Sequence, residues 1–162
     1  MKKYKWLIIL LNLILLLGYF DYSVAKKEEI LNNGKLVLLE LAPVDPRSLM
    51  QGDYMQLRYK ISSDITEVNF PSRGYCVVTI NDEGVANKVR LQKDKTPLHR
   101  NEFLISYHAP NKWSINIGAE SFFFQEGDAG KFEQAKYGAL RIDSNGNSLL
   151  VGLYDEQLRQ IK

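Results

Sequence analysis

Apolar residues follow two different patterns along the chain. From Trp6 to Phe20 (WLIILLNLILLLGYF) there is no charge, and Asn12 is the only strongly polar residue. A stretch that is apolar all round the helix cylinder suits a membrane segment, whereas a core helix shows a single apolar stripe. Beyond residue 34 the apolar runs become short and alternate with polar residues, which is the period of strands. Lys35–Ala42 (KLVLLELA) is apolar on both parities, with Leu36 and Leu38 on one face and Val37, Leu39 and Leu41 on the other. That pattern predicts a central strand covered on both sides, in which Glu40 needs a partner if it is buried. Tyr54–Ile61 alternates cleanly and predicts a second strand, with Met55, Leu57, Tyr59 and Ile61 on one face and Tyr54, Gln56 and Arg58 on the other.

Turn chemistry punctuates the rest. Tyr75–Ile80 and Val85–Leu91 flank Asn81-Asp82-Glu83-Gly84, and Tyr137–Ile142 and Ser148–Leu153 flank Asp143-Ser144-Asn145-Gly146, so each pair predicts a hairpin. The two hairpin sequences resemble one another, as either an internal duplication or shared turn chemistry would produce. Glu102–Ala109 and Trp113–Phe124 read as two more strands around Pro110-Asn111. Between Pro43 and Gly52, Asp45 and Pro46 predict a single helical turn, with Gly52 ending it and Asp53 capping the next extended segment. Asp128–Tyr137 predicts an amphipathic helix with Phe132 and Ala135 inward and Gly138 as its stop, and Asp155–Ile161 a last short helix. About eight strands and three short helices, joined by turns too short for parallel crossovers, predict a β-rich α+β domain. Its architecture is an antiparallel sheet or small barrel, preceded by an N-terminal transmembrane helix.

The apolar N-terminal run divides the chain into residues 1–25 as membrane anchor or signal peptide, 26–34 as a juxtamembrane helix stopped by Gly34, and 35–162 as the folded domain. Fifteen apolar residues span about 22 Å as a helix, short of the roughly 30 Å hydrocarbon layer, and Ser23-Val24-Ala25 offers the small residues of a cleavage site. Against cleavage, Tyr4, Trp6, Tyr19 and Tyr22 bracket the run as interfacial aromatics, while Lys5, Lys26 and Lys27 can reach headgroups. Either form places the N-terminus in the cytoplasm and the remainder across the cytoplasmic membrane, in the periplasm or outside the cell. Lys2, Lys3 and Lys5 supply three of the 21 cations, so the formal charge of +2 belongs to this targeting signal. The rest carries no basic stripe for nucleic acid. At 162 residues with 45% hydrophobic content the chain has material for one core, and its single Cys76 excludes an internal disulfide or a cysteine-rich zinc site.

Candidate chemistry is sparse. Ser48, in SLMQGD, resembles faintly the Ser–Met…Gly–Asp segment of signal-peptidase-like serine/lysine proteases, a mechanism that needs a lysine kept neutral by burial. Lys60 and Lys88 are the candidates for that lysine, and Ser48 as a helix-start hydroxyl is the structural alternative. His99 and His108 lack metal-ligand spacing, so no metal or cofactor is expected. Glu40, Asp45 and Asp53 read as caps and ion pairs rather than catalytic acids. Cys76, inside CVVTI, reads as a small buried hydrophobe. Phe122-Phe123-Phe124 places aromatics on both faces of its strand, either one toward the core and the other available to a partner or membrane surface, or both covered by the fold.

The segment PVDPRSLMQGDYMQLRYKI stands out. Gly52-Asp53-Tyr54, Leu57 and Tyr59 reproduce the G-D-Y-x-x-L-x-Y signature, so the chain resembles the GDYXXLXY family of bacterial membrane-anchored proteins over nearly its whole length. The LLELAPVDPRSLMQGDYM approach, FFFQEG at Phe122–Gly127 and LRIDSNGNSLLVGL share the resemblance. It implies an N-terminal anchor, a domain outside the cytoplasm and association with polytopic membrane proteins, without an assigned activity. Read physically, the motif is a fold device, in which Gly52 and Asp53 shape the turn while Leu57 and Tyr59 lock the strand. It is also a binding surface on the opposite parity, Tyr54, Gln56 and Arg58, which joins an aromatic to a planar cation. A third reading pairs Arg58 with Glu40. The leading expectation is a non-enzymatic accessory protein that binds a polytopic membrane protein. A membrane-surface serine/lysine peptidase is the alternative, and a lipid carrier a weaker third.

Overall fold

The N-terminal membrane segment continues without a break into the helix that follows it. In the computed structural model, which describes residues 2–42, 50–51, 54–63, 65 and 69–162, helix α1 spans Lys2–Asn33. Its 32 residues extend about 48 Å at 1.5 Å each, more than the roughly 30 Å hydrocarbon layer. No part of its most apolar window is buried against the rest of the chain. Its C-terminal end meets the domain, where Ile30 is buried.

Gly34 ends α1, by a mechanism that differs from the left-handed stop expected of it. Its amide donates to Ile30 O at 2.9 Å, and a Cβ at this position would collide with that same oxygen. The Arg141 guanidinium donates to Gly34 O at 2.7 Å, so the junction is tied to the C-terminal half of the domain. Close approach, not backbone twist, is what demands glycine here.

Three small antiparallel sheets follow. Strand β1 (Lys35–Glu40) pairs with β8 (Tyr137–Ile142), which pairs with β9 (Ser148–Tyr154). Strand β4 (Arg73–Ile80) lies between β5 (Ala86–Gln92) and β6 (Glu102–His108). Strand β3 (Tyr54–Gln56) lies between β2 (Met50–Gln51) and β7 (Ser121–Phe123). Single bridges stitch the sheets together, Leu38 with Val85, Leu41 with Tyr59 and His108 with Asn116. The result is the β-rich antiparallel fold the alternation predicts, and all three sheets contribute to one core that includes Val37, Leu39, Met55, Tyr59, Cys76, Ile105 and Leu140.

Both predicted hairpins form, and their turns match atom for atom. Asn81 Oδ1 accepts from the amides of Glu83 and Val85, as Asp143 Oδ1 does from those of Asn145 and Asn147. Gly84 and Gly146 both have φ of +84°, the left-handed geometry that favours glycine. Each second strand carries one extra residue at the corresponding place, since Val77 and Val78 face Arg90 and Lys88 while Ala139 and Leu140 face Gly152 and Leu150. Each hairpin then takes its third strand from the other half of the chain, β6 for the first and β1 for the second. The β3–β7 pairing joins one segment from each half. The halves are thus two copies of one plan with their leading strands exchanged.

Five expectations fail, each because a tertiary contact or a side-chain bond outcompetes local propensity. β1 is covered on both faces only near Leu38; Leu36 is exposed and the strand lies at the end of its sheet. The strand expected over Tyr54–Ile61 stops at Gln56, and Lys60–Ser63 forms the one-turn helix α2, although burial keeps alternating through Met55, Leu57 and Tyr59. Trp113–Phe124 is strand only at Ser121–Phe123, being interrupted at Gly118 with φ +80°. The helix expected over Asp128–Tyr137 is the single turn α3 (Ala129–Phe132), because the backbone of Lys136 is taken by Leu41 and Tyr154 and Gly138 lies inside β8. Asp155–Ile161 is a turn rather than a helix. There the Asp155 carboxylate accepts from the amides of Gln157 and Arg159, and Ile161 N returns to Leu153 O.

Electrostatics add a pH dependence. The Arg90 guanidinium donates to both Glu102 oxygens, at 2.6 and 2.8 Å, which holds the Glu102 carboxyl at about 2. At Asp155, backbone bonding from Arg159 leads the downward shift. At Asp143 burial pushes upward, but hydrogen bonds from Asn147 and Asn145 and the charge of Lys26 win. Each group binds a proton more readily unfolded than folded, so its contribution is present above the ordinary carboxylate range and is lost as pH falls through the folded value. Thermal melts of the detergent-solubilised chain should give a Tm that is level above about pH 5 and falls steadily toward pH 2. Glu102→Gln should flatten part of that fall.

Candidate functional site

Tyr59 is the centre from which the site is built. It is fully buried, its hydroxyl donates to Ala119 O at 2.7 Å, and its ring lies so close to Gly138 that a Cβ there would stand 2.8 Å from it. Burial, and then the nearby Glu120 carboxylate, push the phenol far above its ordinary value, so it stays neutral. Leu57 lies in the same core. Its amide donates to Glu120 O at 2.7 Å, extending the β3–β7 ladder by one bond. Gly52 and Asp53, the first two motif positions, lie outside the described residues, as do Asp45 and Ser48.

The opposite parity faces outward. Gln56 and Arg58 are exposed, and Tyr54 is half-buried with its ring centroid 5.8 Å from that of Phe123. Phe123 is 73% exposed, whereas Phe122 and Phe124 pack on Phe132 with centroids 5.0 and 5.6 Å away. The division of the three phenylalanines between core and solvent is therefore the first of the two arrangements the alternation allows.

Beside this face lies a cavity of about 660 Å³, lined by Gln56, Arg58, Ser62, Trp113, Asn116 and Glu120 among others. Trp113 is held by an Asx turn in which Asn111 Oδ1 accepts from the amides of Trp113 and Ser114 and from Ser114 Oγ. The indole itself is 82% exposed. Glu120 holds the loop by accepting from the Ile117 amide. Ser62 is 6% exposed, and its Oγ has no hydrogen-bond partner among the described residues. The parity of the strand announces Gln56 and Arg58. Ser62, Trp113, Asn116 and Glu120 were missed, because they come from irregular segments that only the sheets bring together; the Asn–Lys–Trp–Ser turn signature was the available signal.

The proposed pairing of Arg58 with Glu40 does not form. The Leu41–Tyr59 bridge sets Glu40 beside Lys60, whose Nζ donates to it at 2.9 Å, with both side chains about half exposed. Among the described residues Arg58 makes no ion pair. That geometry also removes Lys60 as the neutral, buried lysine a serine/lysine peptidase requires. Lys88 sits on β5 opposite Val78, far in sequence from any described nucleophile of the motif segment. His99 and His108 are exposed, and no cluster of three His, Cys, Asp or Glu residues suited to a metal occurs among the described residues. Cys76 is fully buried in the core.

An apolar N-terminal helix long enough to cross a bilayer, joined directly to a β-rich domain with an exposed aromatic face, defines a membrane-anchored protein. The family model described as GDYXXLXY protein matches residues 16–153, and the chain belongs to that family. No curated protein and no solved structure matches it.

Two substitutions separate the two parities of the motif. Tyr59→Phe removes the hydroxyl that satisfies Ala119 O and should cost about 1–3 kcal/mol by chemical denaturation. Arg58→Leu touches no ion pair among the described residues and should leave stability within about 0.5 kcal/mol. A large loss for Arg58→Leu would return that residue to a structural role.

Proposed function

We propose that the chain is a single-pass accessory protein of the cytoplasmic membrane. On this reading its N-terminus faces the cytoplasm, and its β domain, in the periplasm or outside the cell, binds a polytopic membrane protein. The observation that carries the reading is the Tyr54–Phe123 pair, two aromatic rings on the solvent side of strands whose other side is locked into the core. With Gln56 and Arg58 alongside, this face has the aromatic and guanidinium composition that dominates binding energy at interfaces. Ladder-paired strands hold the rings before any partner arrives, which lowers the ordering cost of association. The helix confines the domain to the bilayer surface and raises its effective concentration toward neighbours in the same membrane. The three lysines of MKKYK, against two (Lys26 and Lys27) beyond the apolar run, support the inward N-terminus.

The test is photo-crosslinking in intact membranes, with a photoreactive residue at position 123, followed by purification through a C-terminal tag. An adduct with one polytopic protein should form, and it should vanish in the Tyr54→Ala variant while the chain stays in the membrane fraction with an unchanged Tm. The same adduct from a photoreactive residue at exposed position 89, on β5, would overturn the assignment of the face. Protease added from the periplasmic side should degrade residues 35–162, and protection there would overturn the topology.

A further inference from the structure

The cavity beside the motif holds an unusual set of groups for a surface that serves only packing. Among the described residues, one guanidinium (Arg58), one carboxylate (Glu120), two amides (Gln56, Asn116) and three serines (Ser62, Ser63, Ser114) line it, together with the exposed indole of Trp113. Its volume of about 660 Å³ falls in the range of small-molecule sites. Two features of the unliganded chain cost free energy. Ser62 is nearly closed from water while its Oγ has no partner among the described residues, and such groups are uncommon in folded proteins. Trp113 exposes 82% of its surface although Asn111 fixes the backbone that carries it, so the ring is displayed without being packed.

From this arrangement we infer that the cavity is a saccharide-binding site. Arg58 and Glu120 carry opposite charges, so the described lining offers no net attraction to an anion or a cation. Both are planar groups with several hydrogen-bonding positions, as are the two amides, and together they present donors and acceptors in mixture. A polyhydroxylated ring is the ligand class that uses such a mixture, because each of its hydroxyls both donates and accepts. The electron-rich face of the Trp113 indole meets the weakly positive C–H face of a pyranose, the contact an exposed aromatic ring is suited to make. An acyl chain would leave these polar groups unpaired, which disfavours a lipid carrier at this cavity. The site shares Gln56 and Arg58 with the face proposed above but not its Tyr54 and Phe123 rings, and its test needs no membrane partner.

Trp113 supplies its own reporter. The chain has two tryptophans, and the other, Trp6, lies in the anchor. Full-length Trp6→Phe protein, in a detergent without a sugar headgroup, should be titrated with a glucose tetramer and with an N-acetylglucosamine tetramer. Inorganic phosphate and diglycine serve as the charged comparisons. A saturable blue shift or change of intensity is expected with at least one tetramer and with neither comparison. Calorimetry should show binding of the same tetramer weakened at least tenfold by Trp113→Ala and several-fold by Asn116→Ala, in variants whose Tm is unchanged. Sedimentation with insoluble chitin or cellulose distinguishes a polymer-bound glycan from a free oligosaccharide as the source of the ligand. Response to phosphate or diglycine alone, or to none of the probes, would overturn the assignment, as would binding that survives Trp113→Ala intact.

Discussion

One tyrosine holds the two halves of the domain in register. Tyr59 is bridged to Leu41 by its backbone, sends its hydroxyl to Ala119 O, and lays its ring against Gly138. Those contacts reach the extension of β1, the segment before β7 and the start of β8. The glycine in β8 is explained by the same contact, since any side chain there would have to displace a ring that is packed on all sides. The motif is therefore anchored at its C-terminal end by packing. That anchoring is what lets its alternate residues, Tyr54, Gln56 and Arg58, project into solvent from a fixed frame.

Most of the fold was legible where side chains encode their own turn. Asn81 and Asp143 each close a turn with one oxygen, and Gly84 and Gly146 each supply the left-handed residue, so both hairpins could be read from their local sequence. The failures share a cause of the opposite kind. Lys136 and Tyr137 have the composition of a helix end, but β1 and β9 offer them hydrogen bonds from strands distant in sequence. At Asp155 the competing bonds come from the side chain itself. Periodicity over a short window reports neither.

The site divides along the same line. Gln56 and Arg58 follow from the alternation of Met55, Leu57 and Tyr59, which survives even where the strand does not. Ser62, Trp113, Asn116 and Glu120 do not follow from any local pattern, because α2 and the loop before β7 are brought together by the β3–β7 ladder, the His108–Asn116 bridge and the Ile115 N to Ser62 O bond. Sequence reasoning also chose the wrong neighbour for Glu40. Once Leu41 pairs with Tyr59, antiparallel geometry places Lys60, not Arg58, across from it.

The exchange of leading strands has a temporal side. The strand that leaves the membrane helix first, β1, finds its ladder partner only in β8, and β8 is itself backed by β9 near the end of the chain. During synthesis β1 therefore has only single bridges, such as that of Leu38 to Val85, to hold it until β8 has been delivered. A polypeptide tethered beside the bilayer throughout that delay presents Leu36, Leu38 and their neighbours to whatever lies next to it, so the interval before closure is when this protein is most exposed to mispairing and to quality-control proteases.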